Sequence, residues 1–161
     1  MRYEINNLMK KRLNGRDVVD LAKQQPLESR LKDILDRGII NQDDLILLKN
    51  FKSNLESTNY TDPTGKEMFV NKFHVDNYSS NGSKLREYFL QQGIAFALVL
   101  YNKLINNYPD KHFKIIVSTD EGPDSYPDIC TVGFHTVRPN EHWLTQYLEN
   151  YKMNGLLVIT V

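Results

Sequence analysis

Residues 83–108 read S-K-L-R-E-Y-F-L-Q-Q-G-I-A-F-A-L-V-L-Y-N-K-L-I-N-N-Y, and this stretch decides the fold. Leu85, Tyr88, Phe89, Phe96, Leu100 and Leu104 recur at helical spacing and line one side of a long helix, with Ser83 as its N-cap. Ile94, Leu98, Tyr101 and Ile105 widen that stripe beyond one narrow face, which places the helix centrally in the core. Gly93 interrupts it at a cost of about 1 kcal/mol relative to Ala, which a close helix–sheet approach would offset. Pro109 ends it.

Working outward, residues 113–119 and 129–137 read as strands, and 156–161 as a final strand apolar on both faces, hence buried. Between the last two, Asn140 is expected to cap a helix bearing Trp143, Leu144, Tyr147, Leu148 and Tyr151. Upstream, residues 68–75 read as a strand and 77–82 as a turn. The order after residue 66 is then β-α-β-β-α-β, compatible with a ferredoxin-like sheet. Residues 57–66, S-T-N-Y-T-D-P-T-G-K, read as a linker.

The first sixty residues read as helices. Val18, Val19, Leu21 and Ala22 mark a short one. Leu27, Leu31, Ile34 and Leu35 stripe a second, with Pro26 in its first turn and Gly38 at its C-terminal cap. Asn41 caps a third, carrying Leu45, Leu48, Phe51 and Leu55. The expectation is an α+β fold and a single domain over 1–161, with a helical part at 1–60 and an α/β part at 66–161.

The chain carries 20 Lys and Arg against 20 Asp and Glu, so its net charge gives no reason to expect nucleic-acid or membrane binding. The charge is unevenly spread. Residues 1–60 hold eleven basic against nine acidic side chains, whereas 112–161 hold three (Lys114, Arg138, Lys152) against six. A basic partner would be steered to the C-terminal third. A single cysteine, Cys130, rules out an intrachain disulfide. No apolar run of signal-peptide or membrane-spanning length is present, and the expected location is the cytoplasm.

The negative charge concentrates at 118–128, S-T-D-E-G-P-D-S-Y-P-D. Asp120, Glu121, Asp124 and Asp128 surround Tyr126, with no basic residue among them, and Gly122, Pro123 and Pro127 forbid a helix. Such a loop either keeps the protein soluble or presents charge and an aromatic anchor to a basic partner. The candidate partner-binding residues are Asp120, Glu121, Asp124, Tyr126 and Asp128, with Trp143 as a further anchor.

Other chemistries find less support. Cys130 and His135 lie on one strand, and alternation sends their side chains to opposite faces, so they cannot act as nucleophile and base. Cys130 reads as buried and inert. His74, His112, His135 and His142 form no H-x-x-x-H pattern; His135 and His142 could converge, but a zinc site would need further ligands, with Glu141 as a candidate. His74 and His112 are conceivable as an acid/base pair on neighbouring strands. No phosphate-binding glycine loop exists. The helices over 27–56 could be taken for a helix-turn-helix, yet Asp43 and Asp44 would open the recognition helix and be repelled by phosphates. No metal, cofactor or catalytic residue is expected, and no nucleic-acid or membrane partner.

Residues 128–151, D-I-C-T-V-G-F-H-T-V-R-P-N-E-H-W-L-T-Q-Y-L-E-N-Y, with G-L-L-V-I-T-V closing the chain, resemble bacterial immunity proteins. These are the cytosolic antitoxins of contact-dependent growth inhibition and related polymorphic toxin systems. The resemblance covers residues 66–161 and rests on the strand–R-P-x-E-x-W-L–helix–strand element. It implies a non-enzymatic protein that binds a cognate toxin domain one-to-one, often a basic nuclease, and blocks its active site or substrate access. The alternatives from other classes are a small enzyme or accessory domain using His74 or His112, and a DNA-binding regulator using the N-terminal helices.

Overall fold

The computed structural model describes residues 1–78, 86–120 and 129–161. The chain is an α+β protein built on a five-stranded antiparallel sheet. In chain order the elements are β1 (Arg2–Ile5), α1 (Asn7–Leu13), α2 (Val18–Lys23), α3 (Ser29–Asp36), β2 (Ile39–Gln42), β3 (Leu45–Leu48), a 3-10 helix (Lys49–Ser57) and α4 (Pro63–Asn71). There follow β4 (Phe73–His74), α5 (Arg86–Asn107), β5 (Phe113–Asp120), β6 (Cys130–Thr136), a 3-10 turn (Leu148–Asn150) and β7 (Asn154–Thr160). The sheet order is β1-β7-β5-β6-β4, and β2 and β3 form a separate hairpin.

The α5 helix lies where its apolar stripe demands, with Phe96, Leu100 and Leu104 fully buried. Gly93 is explained by contact: a Cβ there would sit 2.7 Å from Cys130 Sγ on β6. Ser83 and Leu85 lie outside the described residues. Alternation along the sheet divides two apolar faces. Phe113, Ile115, Val117, Val132, Phe134, Leu157 and Ile159 join the main core with α5 and the N-terminal helices. Ile116, Leu156 and Val158 form a second cluster on the opposite face with Met68, covered by Trp143, Leu144, Leu148 and Tyr151.

The sheet departs from the ferredoxin-like arrangement. β4, α5 and β5 do form a split βαβ, with β6 inserted antiparallel between the two strands. The last strand, however, pairs with β5 rather than with β4, and β1 then covers it from outside. The short R-Y-E-I alternation supplies this extra strand.

Three expected elements are replaced. The third helix, over 41–56, is instead the β2–β3 hairpin followed by a 3-10 helix. Asp43 and Asp44 both adopt positive φ, 51° and 62°, the pairing a two-residue type I′ turn needs. The helix-turn-helix reading therefore lacks its second α-helix: a hairpin and a 3-10 helix stand where it would lie. Residues 68–75, expected as a strand, begin as the end of α4, and only Phe73–His74 is a strand. Asp62 caps that helix, its Oδ1 accepting from Gly65 N at 2.7 Å, and Pro63 takes the first turn, where its missing N–H costs nothing. The helix expected from Asn140 is an irregular strap. Asn140 has φ 62°, and Arg138 and Glu141 are drawn to α4, so Trp143 and Leu144 can spread over the sheet. Pro26 lies ahead of α3 rather than in its first turn.

Candidate partner-binding surface

The site grows from α4. One face of this helix is anchored by polar groups. Glu67 is fully buried and accepts from Ile46 N at 2.8 Å and Thr136 N at 2.6 Å. It also takes a two-pronged ion pair from Arg138, Nη1 and Nη2 each at 2.9 Å. Burial lowers the Arg138 pKa, but Glu67 outweighs this and holds the guanidinium above its ordinary value. Glu141 caps the start of the same helix by accepting from Thr64 N at 3.0 Å. Arg138 and Glu141 thereby pin the first half of the strap, and Trp143 follows directly.

Toward solvent, α4 carries an aromatic cluster. The Tyr60 ring lies 6.3 Å from that of Phe69 and 5.5 Å, edge-on, from that of Trp143. Tyr60 is 42 % and Phe69 40 % exposed, while Trp143 is half-buried. Gly65 makes the packing possible, because a Cβ there would fall 2.5 Å from Tyr60 Cδ1. Tyr60 sits in a stretch that reads as linker, and nothing in its local pattern marks it as an anchor. Phe69 would have passed for one face of a strand.

Of the expected partner-binding residues, the structure places two. Asp120 ends β5, and its Oδ1 accepts a hydrogen bond from Asn154 Nδ2 at the start of β7. Trp143 packs against the sheet's second apolar cluster, beside a cavity that Asn154 also lines. Asn154 thus stands between them. Glu121, Asp124, Tyr126 and Asp128 lie outside the described residues.

The histidines do not converge as the acid/base reading needs. His74 pairs with Thr131 on β6, while the His112 carbonyl accepts from Val137 N beyond the other end of that strand. Six residues of extended chain separate the two points by about 20 Å. His135 is buried, with Nδ1 2.8 Å from the Thr136 carbonyl oxygen. Burial pushes its pKa below the ordinary value, so the ring is held neutral. His142 opens onto a recess shared with Lys114 and Thr160. Among the described residues, no three His, Cys, Asp or Glu side chains lie together as a metal site requires. Cys130 is buried against α5, and desolvation drives its thiol pKa far up, aided by the nearby Asp76 carboxylate. Such a thiol does not ionise near neutral pH and is inert as a nucleophile.

Fold and surface together define an α+β protein whose antiparallel sheet is covered by helices on one face and by an aromatic-bearing strap on the other. Among the described residues no helix is long and apolar enough to cross a membrane. The chain belongs to the family described as the uncharacterized protein PM0498 family, whose model matches residues 4–160. It is similar to uncharacterized protein PM0498 of Pasteurella multocida (strain Pm70), at 29 % identity over 163 residues and 96 % of each chain. No solved structure matches it.

Proposed function

We propose that this chain is a cytoplasmic immunity protein that neutralises a bacterial toxin domain by binding it one-to-one. The observation that carries the reading is the exposed Tyr60–Phe69 pair, backed by Trp143 and held on a rigidly anchored helix. Exposed aromatic rings on a fixed support are the usual energetic centre of a protein–protein interface. The acidic side chains Asp120, Glu121, Asp124 and Asp128, with no basic residue among them in the sequence, add charge that would attract a basic domain such as a nuclease. Binding there would cover the partner's nucleic-acid surface, without any catalytic group on this chain.

The reading is tested by purifying the chain with the toxin domain encoded beside its gene and assaying that domain's activity. One-to-one complex formation that abolishes toxin activity is the expected result. A neighbouring gene product that neither binds the chain nor loses activity in its presence would contradict it.

A further inference from the structure

We propose that the cavity between Trp143 and the outer face of the sheet is a binding site for a single-ring aromatic carboxylate. The cavity is open to solvent on one side and has a volume of about 170 Å³. A dry protein cavity of about 150 Å³ accepts benzene, so one ring fits. Ile116 and Leu156 form its floor, Met68 of α4 one wall, and Trp143 and Leu144 its roof, which makes an apolar slot with an indole to stack on.

The polar groups are placed to one chemistry. Ser118 and Thr131 are directly paired across β5 and β6, and both line the cavity. These two small residues stand on a face otherwise filled by Ile116, Leu156 and Val158, and they leave the space open. Neither hydroxyl has a side-chain hydrogen-bond partner among the described residues. Lys72, the cap residue of α4, reaches the same cavity, and no carboxylate lines it among the described residues. Two hydroxyl donors, and a lining lysine whose exposed side chain can swing its ammonium to the slot, suit an aromatic ring bearing one negative charge. Gly133 completes the arrangement: a Cβ there would lie 3.0 Å from Met68 Cε and 3.2 Å from Lys72 Cα, so its absence lets α4 close the wall. The site shares Trp143 with the candidate partner surface, but its test needs no partner, so its failure is distinguishable from that of the proposed function.

Trp143 is the only tryptophan in the chain, so its emission reports occupancy directly. The probes are benzoate and the neutral benzyl alcohol, titrated into the full-length protein to about 10 mM. Benzoate should give a saturable change and bind roughly tenfold or more tightly than benzyl alcohol. Lys72→Met should bring benzoate down to the level of the alcohol, while Ser118→Leu, which fills the cavity, should abolish both responses with an unchanged melting temperature. Lys72 is exposed, so its variant folds even if Ser118→Leu does not. No saturable response in the wild type, a benzoate affinity untouched by Lys72→Met, or a response surviving in folded Ser118→Leu would each overturn the proposal.

Discussion

Glu67 and Asn71, one turn apart on α4, tie the hairpin to the main sheet through their side chains. Asn71 accepts from Leu48 N at 2.8 Å and donates to the carbonyls of Ile46 at 2.9 Å and Phe134 at 3.1 Å. Glu67 spans the same gap, from Ile46 N to Thr136 N. β4 pairs only with Thr131 and Val132, so the rest of the β6 edge would be left with unpaired backbone groups. The two side chains satisfy those groups and the facing edge of β3 together.

That arrangement predicts severe losses at both positions. Asn71→Ala leaves a buried N–H and two carbonyls without partners and should destabilise by about 3–5 kcal/mol. Glu67→Gln breaks the buried ion pair with Arg138 and should cost about 3 kcal/mol or more. Urea unfolding measures both. Losses of about 0.5 kcal/mol or less, as at ordinary surface positions, would mean that water replaces these groups freely.

Gly93 and Cys130 should be strongly coupled. Gly93→Ala gains about 1 kcal/mol of helix propensity but drives a methyl into Cys130 Sγ, so the net effect is destabilising by about 1–2 kcal/mol. In a Cys130→Ala background the obstruction is gone, and the same substitution should become neutral or stabilising. A double-mutant cycle reads the change of sign. Cys130→Ala alone should fold and keep any partner binding, because its thiol is inert.

His135 sets a pH dependence. Its folded pKa lies below the ordinary 6.5, chiefly through desolvation and also through Lys114 and Arg138, against the Thr136 carbonyl and Glu67. Above 6.5 both folded and unfolded states hold the ring neutral and the group contributes nothing to the pH dependence. As the pH falls below 6.5, the unfolded chain takes up a proton that the folded chain resists, so stability is lost progressively down to the lowered folded pKa. Urea midpoints at about pH 7.5 and about pH 5 should therefore separate further in the wild type than in His135→Gln. An equal separation in both would place the proton uptake elsewhere.

The sequence was most legible where period and burial agree. The α5 stripe and the three core strands β5, β6 and β7 follow from apolar spacing, and even Gly93 was readable as a close approach. Reading failed where a side chain's partner is distant in the chain. The apolar run of β3 is buried on all four residues, so it resembles a helix stripe as well as a strand. Asp43-Asp44 was the turn signal that could have decided it. Asp62-Pro63 likewise announced α4, but reads as a turn when its partners are unseen. The strap lost its expected helix because Arg138 and Glu141 bond to α4, about seventy residues earlier in the chain. At the candidate surface, Trp143 and Asp120 were named from sequence, whereas Tyr60 and Phe69 join Trp143 only through the packing of α4.

Partner binding is tested most directly by measuring association, at low and high salt, with the product of the adjacent gene, which the proposed function takes to be a toxin domain. Asp120 is left intact because it bonds Asn154. The triple variant Glu121→Gln, Asp124→Asn, Asp128→Asn should associate more slowly than the wild type at low salt, with the difference shrinking as salt rises. Phe69→Ala should instead speed dissociation, costing roughly 2 kcal/mol if the ring enters a desolvated pocket. Wild-type rates in both variants at every salt concentration would contradict the account and move the interface to another face of the protein.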